Sequence, residues 1–409
     1  MSGAECTALL GVWEGYGVGR TSRREGPSGV VEVWIELVPV AGAARWCSGC
    51  GEQVDEVHDR QQRLVRDLPI LDAQTWLVLP RHRLRCPRCG PRLERLSWLA
   101  PYSRVTRRLA ESVVRLCSVL PIRHVAQHFG LGWDAVKAID KAWLVDRLIP
   151  VDLDGVELLV MDEFALHKGH RYATVVADAL TKRVLWVGRG HSREAVRPFF
   201  ELLGPERCRR IKAVGIDMSA AFEQEVRAHC PQALVVYDLF HVVAKYGREV
   251  IDAVRVAEAN RLRHDKPARR VVKSARWLLL RNEESLKRPE DRARLAELLD
   301  ANRALLTVYV LKDDLKQLWR LRQPHLARSF WQSWYARALE SGIEPLIRFA
   351  RRLQTYLPGI LAHCLFPLHT SLLEGINNRI KVIKRMAYGF RDEDYFFLKI
   401  RAAFPGNVG

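Results

Sequence analysis

The sequence predicts a multidomain α/β protein, and three observations lead there. Two CxxC pairs each follow a strand-like run within the first hundred residues; strand-like and helix-like segments alternate from about residue 150 to 245; and a long helix-rich stretch leads back to one last amphipathic helix. At 409 residues with 48% hydrophobic content, the chain can bury several cores. Its formal charge of +18, from 65 basic against 47 acidic side chains, points to a polyanionic partner, with nucleic acid ahead of a membrane surface. Nothing supports the membrane. No apolar run approaches the roughly 18 residues a span needs, and the start MSGAECTALLGVWEGYG carries Glu5 and Glu14 and no basic leader. The expected place is therefore the cytoplasm, associated with the nucleoid when bound to DNA.

Six segments follow in order. Residues 1–40 form an N-terminal segment whose VVEVWIELVPV reads as a β-strand. Residues 41–98 form a metal-binding module. WCSGCG supplies Cys47 and Cys50, and the strand-like TWLVLPRHRLRCPRCG delivers Cys86 and Cys89. Two knuckles of this kind present four thiolates to a tetrahedral Zn²⁺, a structural role because no coordination position stays open. The intervening gap of 35 residues is longer than usual, and reduced packed cysteines are the alternative. His58 and His82 are candidate substitute ligands but read better as surface or packing residues.

Residues 99–150 form a helix-turn-helix region. In PIRHVAQHFGLGWDAVKAIDKAWL, the residues Ala126, Gly130, Val136 and Ile139 supply a small residue at the crossing, a turn glycine and apolar anchors. Trp133, Lys137 and Lys141 are then the outward residues nearest a DNA groove, beside Asp134. From Arg81 to Arg108 nine arginines face a lone acid, Glu94; the planar guanidinium suits phosphate, so Arg104, Arg107 and Arg108 are expected on DNA. A merely solvated basic face is the alternative.

Residues 151–245 alternate: VELLVMDEFAL, RYATVVADA and RVLWVG read as strands, REAVRPFFELL as a helix, IKAVGIDM as a strand, SAAFEQEVRAHC as a helix and ALVVYDLFHVV as a fifth strand. Three strands, helix, strand, helix, strand is the order of a ribonuclease-H-like mixed sheet. Three of these strands end in acids, at Asp162, Asp217 and Asp238. Residues 246–366 read as a helical insertion, with an independent bundle as the alternative. Residues 367–405 return to the sheet's domain with EGINNRIKVIKR. On a helix, Ile376, Ile380 and Ile383 form an apolar stripe, while Glu374, Asn378, Lys381 and Arg385 share another face, flanked by Arg379 and Lys384. An ordinary amphipathic surface helix with a first-turn Glu would look similar.

The strings MDEFALHKGHRYATVVAD, GIDMSAAF, YDLFHVV and above all LLEGINNRIKVIKRMAYGFRD resemble the transposases of bacterial insertion sequences, specifically the ISL3 group of the DDE superfamily. CSGCG, RLVRDLP and RHRLRCPRCG are similar to that group's zinc-finger module, and the resemblance runs from about residue 30 to 400. A departure is the short PRLERLSW after the second knuckle, which blurs that module's boundary.

The resemblance implies that Asp162, Asp217 and Glu374 are the catalytic acids, holding Mg²⁺ or Mn²⁺; that Asp238 and His241 support them; and that Lys168 and His170, flanking Gly169, lie near substrate. Glu163 rivals Asp162, but strand neighbours face opposite ways, so only one should enter the site. The implied activity is metal-dependent cleavage and strand transfer at terminal inverted repeats, with Asn378, Lys381, Arg385, Arg379 and Lys384 meeting phosphates. Partners would be duplex DNA, as element ends and target, and a second copy or more in a synaptic assembly. Two other classes stay open: a transposase-derived DNA-binding regulator without catalysis, and a structure-selective nuclease.

Overall fold

A computed structural model describes residues 13–26, 29–167, 169, 171–368 and 371–407. The chain forms two compact units, Met1–Ile149 with Lys384–Leu398, and Pro150–Ile383 with Lys399–Gly409. Both contain mixed α/β structure.

The first unit is built on six strands: β1 (Tyr16–Glu25), β2 (Val31–Pro39), β3 (Trp46–Cys47), β4 (Val57–Ile70), β5 (Ala73–Cys86) and β6 (Gly90–Arg95). β5 is the spine. β4 pairs antiparallel along nearly its whole length, whereas β2 runs parallel to its start and β6 antiparallel to its end. Its alternation AQTWLVLPRHRL buries Leu77 and Leu79 on a core shared with Trp13, Tyr16, Ile35 and Val65, and Leu84 on a smaller one with Cys47, Val54 and Cys86. The sequence reading found β2 and β5 but missed β1 and β4. Both are rich in arginine and polar residues, and β4 leaves most of its first half in solvent, so neither shows an apolar run.

Three helices follow, Arg107–Cys117, Ile122–Phe129 and Trp133–Leu148. Leu109, Val113, Val125, Phe129 and Val136 close a small core between them. The turn between the last two needs Gly130: its φ is 59°, and a Cβ there would fall 2.1 Å from Gln74 Nε2. Buried Arg66 donates to the carbonyls of Phe129 at 2.8 Å and Gly130 at 3.2 Å, satisfying the end of the middle helix. Asp67 next to it is a buried hub. It accepts from Trp13 Nε1 at 3.0 Å, from Thr106 Oγ1 at 2.6 Å, and from the guanidinium of Arg108, whose Nε lies at 2.7 Å.

The second unit holds a five-stranded sheet in the order β11-β10-β7-β8-β9, from β7 (Leu158–His167), β8 (Arg171–Asp178), β9 (Val184–Arg189), β10 (Ala213–Ile216) and β11 (Leu234–Tyr237). β7, β8 and β9 form an antiparallel meander, and β10 and β11 run parallel to β7. The helices Arg193–Cys208 and Ala220–His229 make the two crossovers. β10 and the first four residues of β7, Leu158–Met161, are continuously apolar because both strands are central, as a sheet covered on both faces requires.

The sequence reading carried the fifth strand past Asp238. The strand instead stops at Tyr237, because the Asp238 side chain accepts the Phe240 amide at 3.0 Å and caps a new helix, Leu239–Tyr246. From there to residue 362 the described chain is almost wholly helical, and its core is continuous with the sheet's through residues such as Tyr246, Leu311, Trp331 and Trp334. Buried Lys312 is held by the carbonyls of Leu279 and Arg281, both at 2.9 Å. The last two helices are Ser371–Met386 and Glu393–Ala403. No helix among the described residues is long and apolar enough to cross a membrane.

Candidate active site and metal centre

The parallel register decides where the acids fall. Val160 of β7 pairs with Gly215 of β10, and Ile216 of β10 pairs with Tyr237 of β11. Two residues beyond Val160, two beyond Gly215 and one beyond Tyr237, the chain reaches Asp162, Asp217 and Asp238, so continuing the same register sets the three abreast on adjacent strands. All three border a cavity of about 1160 Å³, together with His241, Glu374, Asn377, Asn378 and Lys381.

Asp162 is the most elaborately held. Its Oδ1 accepts the Glu163 amide at 2.8 Å and its Oδ2 accepts Asn377 Nδ2 at 2.7 Å. Burial pushes its carboxyl up to about 6 and the nearby Asp217 adds to the rise, against the amide hydrogen bonds and His241. Asp217 accepts the Ser219 amide at 3.0 Å, and burial raises its carboxyl too, with His241 opposing. Two half-buried carboxylates that repel each other are poised to gain from a shared cation. Asp238 is tied to its capping role, with His241 Nε2 at 3.7 Å. Glu163 also borders the cavity, contrary to the strict alternation expected, but its carboxylate pairs with His191 Nδ1 at 2.9 Å.

Glu374 stands exposed in the first turn of the helix Ser371–Met386. Ile376 and Ile380 are buried and Ile383 is half-buried, so the apolar stripe packs as its spacing required. Asn378, Arg379, Lys381 and Arg385 are exposed and Lys384 is half-buried. Lys168 and His170 lie outside the described residues.

Asn377 was missed by the sequence reading. It lies three positions after Glu374, so an i, i+3 search from the acid would have found it. Its Oδ1 is buried without a hydrogen-bond partner among the described residues. With the carboxylates of Asp162, Asp217 and Glu374 it makes an all-oxygen donor set, which fits a hard divalent cation.

In the first unit the sulfurs of Cys47, Cys50, Cys86 and Cys89 all lie within 4.8 Å of one another; no other group of three or more His, Cys, Asp or Glu donors among the described residues is as tight, so the three acids border one cavity without closing to that distance. The Gly49 amide donates to Cys47 Sγ at 3.3 Å, and a Cβ on Gly49 would lie 3.0 Å from Cys89 Sγ. Four sulfurs converging from two knuckles suit tetrahedral zinc.

Residues 159–400 match a family described as "Transposase", of the DDE type and ISL3 group. The chain belongs to the ISL3 family of transposases. Residues 94–144 match the helix-turn-helix domain of transposase family ISL3, and residues 43–89 the zinc-finger of transposase IS204/IS1001/IS1096/IS1165. The transposase for insertion sequence element IS1001 of Bordetella parapertussis is 56% identical over 400 residues, covering 98% of each chain. The transposase for insertion sequence element IS1557 of Mycobacterium tuberculosis strain H37Rv is 27% identical over 379 residues, 86% of this chain and 84% of its own. The protein is thus a DNA-binding DDE transposase with a zinc-ribbon module and a helix-turn-helix.

Within the transposase's helix-turn-helix, Trp133 is 48% exposed at the start of the last helix. Lys137 and Lys141 are not free outward charges: their ammonium groups sit 3.0 and 2.9 Å from Asp392 Oδ2. Burial alone would raise the Asp392 carboxyl, but the Tyr395 amide and these two lysines hold it far below the usual range. Arg104 and Arg107 are exposed, whereas Arg108 is engaged by Asp67.

Proposed function

We propose that Asp162, Asp217 and Glu374 are the catalytic acids of this transposase and that they hold Mg²⁺, with Mn²⁺ as a substitute. The observation that carries the reading is the register: it sets Asp162 and Asp217 abreast on adjacent parallel strands of the sheet that borders the same cavity as Glu374 and Lys381. We read the five-stranded sheet as ribonuclease-H-like and the helices between Asp238 and Glu374 as its insertion.

Two such ions, when bound, activate the attacking oxygen and stabilise the leaving one in an in-line displacement at phosphorus. The chain's own residues prepare that step. Glu163's amide and Asn377 fix Asp162 in one orientation. Asp238 caps the helix that carries His241 and so holds that ring beside the acids, its Nε2 3.7 Å from Asp238 Oδ2. Lys381 and Asn378, on the cavity border, offer donors to phosphate oxygens next to the cut, and Arg385 and Arg379 continue along the same helix.

Residues 40–150 then recognise the terminal inverted repeats, with Arg104, Arg107 and Trp133 among the contacts. Water attacks phosphorus at the element end, breaking its bond to the 3′ oxygen and leaving a 5′ phosphate, and the freed 3′ hydroxyl attacks a target phosphodiester and displaces that phosphate's own 3′ oxygen. Joining two ends in concert requires two such sites, so the working form is a dimer or larger assembly on DNA, in the cytoplasm. The test is incubation of the purified protein with its own element ends in Mg²⁺, mapping the nicks. Asp217→Asn keeps end binding and loses cleavage; strand cleavage surviving in that variant would sink the assignment, and footprints without nicks in the wild type would favour a non-catalytic regulator.

A further inference from the structure

Phe240 is 62% exposed on the border of the acid cavity, in the first turn after Asp238. The same helix buries Val242 and Tyr246 completely, so its packing face is already occupied and Phe240 lies off it. One exposed ring alone is unremarkable, so what matters is its place: a flat apolar face on the border of a charged cavity. His241 meets it edge-on at 5.7 Å, which restrains the ring and leaves a face open.

The cavity's charge has two sources. Its acids come from the sheet and from the Glu374 helix, and its cations, apart from Lys381, come from the helical segment: Arg248, Lys316 and Arg320. No carboxylate pairs with Arg248 among the described residues. It sits in a π-helical turn, Gly247–Ile251, a local distortion that recurs at functional sites. Lys316 is partly neutralised by Asp313 at 2.6 Å, whereas Arg320 donates to the uncharged Gln317 Oε1 at 3.1 Å and pairs with no carboxylate among the described residues. A volume of about 1160 Å³ exceeds what one phosphodiester needs and lies just above the usual range of ligand clefts.

A cationic wall with an exposed aromatic ring is how proteins hold single-stranded nucleic acid: arginines track the backbone and a base stacks on the ring. A base inside a duplex cannot offer its face, so it must first leave its partner. We infer that the cavity takes an unpaired nucleotide beside the cut, its base stacked on Phe240 and its flanking phosphates met by Arg248, Lys316 and Arg320. This subsite rests on the catalytic reading above. It makes strand separation at the element end part of the selection for cutting, and assigns that role to the helical segment.

The experiment uses the full-length protein and element-end duplexes with 2-aminopurine at the nucleotides flanking the cut. In Ca²⁺, where binding is read without turnover, fluorescence reports whether a base leaves the stack and is quenched on an aromatic ring. Phe240→Ala is expected to lose that signal, bind ends as the wild type does, and cut fully paired ends about 10-fold more slowly, the scale of one lost base stack. Two mismatched pairs at the cut should restore its rate to within about 3-fold, and Phe240→Trp should behave as the wild type. Arg248→Ala and Arg320→Ala should weaken retention of mismatched ends. The inference is overturned if Phe240→Ala cuts paired ends at the wild-type rate, or if its loss is the same on mismatched ends. Should the wild type itself fail to cut, the catalytic reading fails, and the fluorescence arm still decides the subsite.

Discussion

The side-chain amide of Asn377 donates a 2.7 Å hydrogen bond to Oδ2 of Asp162, joining the last helix of the site to the first strand of the sheet across 215 positions of sequence. That bond fixes which oxygens of Asp162 face the cavity. Replacing Asn377 by Ala should lower cleavage by about 10- to 100-fold and raise the Mg²⁺ concentration needed for half-maximal rate, the scale seen when a residue orienting a metal ligand is removed. Affinity for element ends should stay unchanged. A variant with normal magnesium dependence would show the bond to be structural only.

Stability should depend on pH through the same acids. Asp162, pushed up to about 6 by burial, is protonated more readily folded than unfolded, so its contribution is complete below the unfolded value near 4 and is lost as pH rises through about 6. Asp217 moves in the same direction. In magnesium-free buffer that leaves zinc in place, Asp162→Asn should melt above the wild type at pH 8, by at most about 3 kcal/mol of stability, with little difference at pH 4. Added Mg²⁺ should stabilise the wild type at pH 8 far more than the variant. Melting below the wild type at pH 8 would contradict the sign.

The four-cysteine centre should be independent of the acids. One zinc per chain is expected by elemental analysis, retained by Asp217→Asn and lost by Cys86→Ser. Loss should unfold the knuckles, because binding and local folding are one equilibrium there, and should abolish end binding. A cysteine variant that binds ends normally would remove zinc from the recognition module.

Arg108 and Arg104 separate architecture from DNA contact. Arg108 pairs with fully buried Asp67, so Arg108→Ala should destabilise the protein by about 3 kcal/mol by leaving a buried charge under-paired, with the salt dependence of DNA affinity little changed. Arg104 is exposed, so Arg104→Ala should leave the melting temperature alone and reduce the slope of log affinity against log salt by about 1. Equal slopes for both variants would reverse the assignment.

Much of this was legible in the sequence, for local reasons. The CxxC pairs, the turn glycine at 130, the isoleucine stripe and the acids closing apolar strands each follow from the spacing of neighbours. What escaped depended on distant partners. Lys137 and Lys141 looked like free charges because Asp392, 251 positions beyond Lys141, cannot be seen from a helical wheel. Arg108 looked like a phosphate contact because Asp67 lies on a strand too polar to announce itself. Asn377 looked like filler, its role depending on Asp162.

Four residues, Ala213–Ile216, stand between the crossover and Asp217. Losing or gaining one of them would turn Asp217 through the sheet to its opposite face, since side chains alternate along a strand. This stretch can therefore exchange one aliphatic residue for another over evolutionary time, yet a frame-preserving deletion of a lone codon there would reverse every buried side chain of the strand and carry Asp217 away from Asp162.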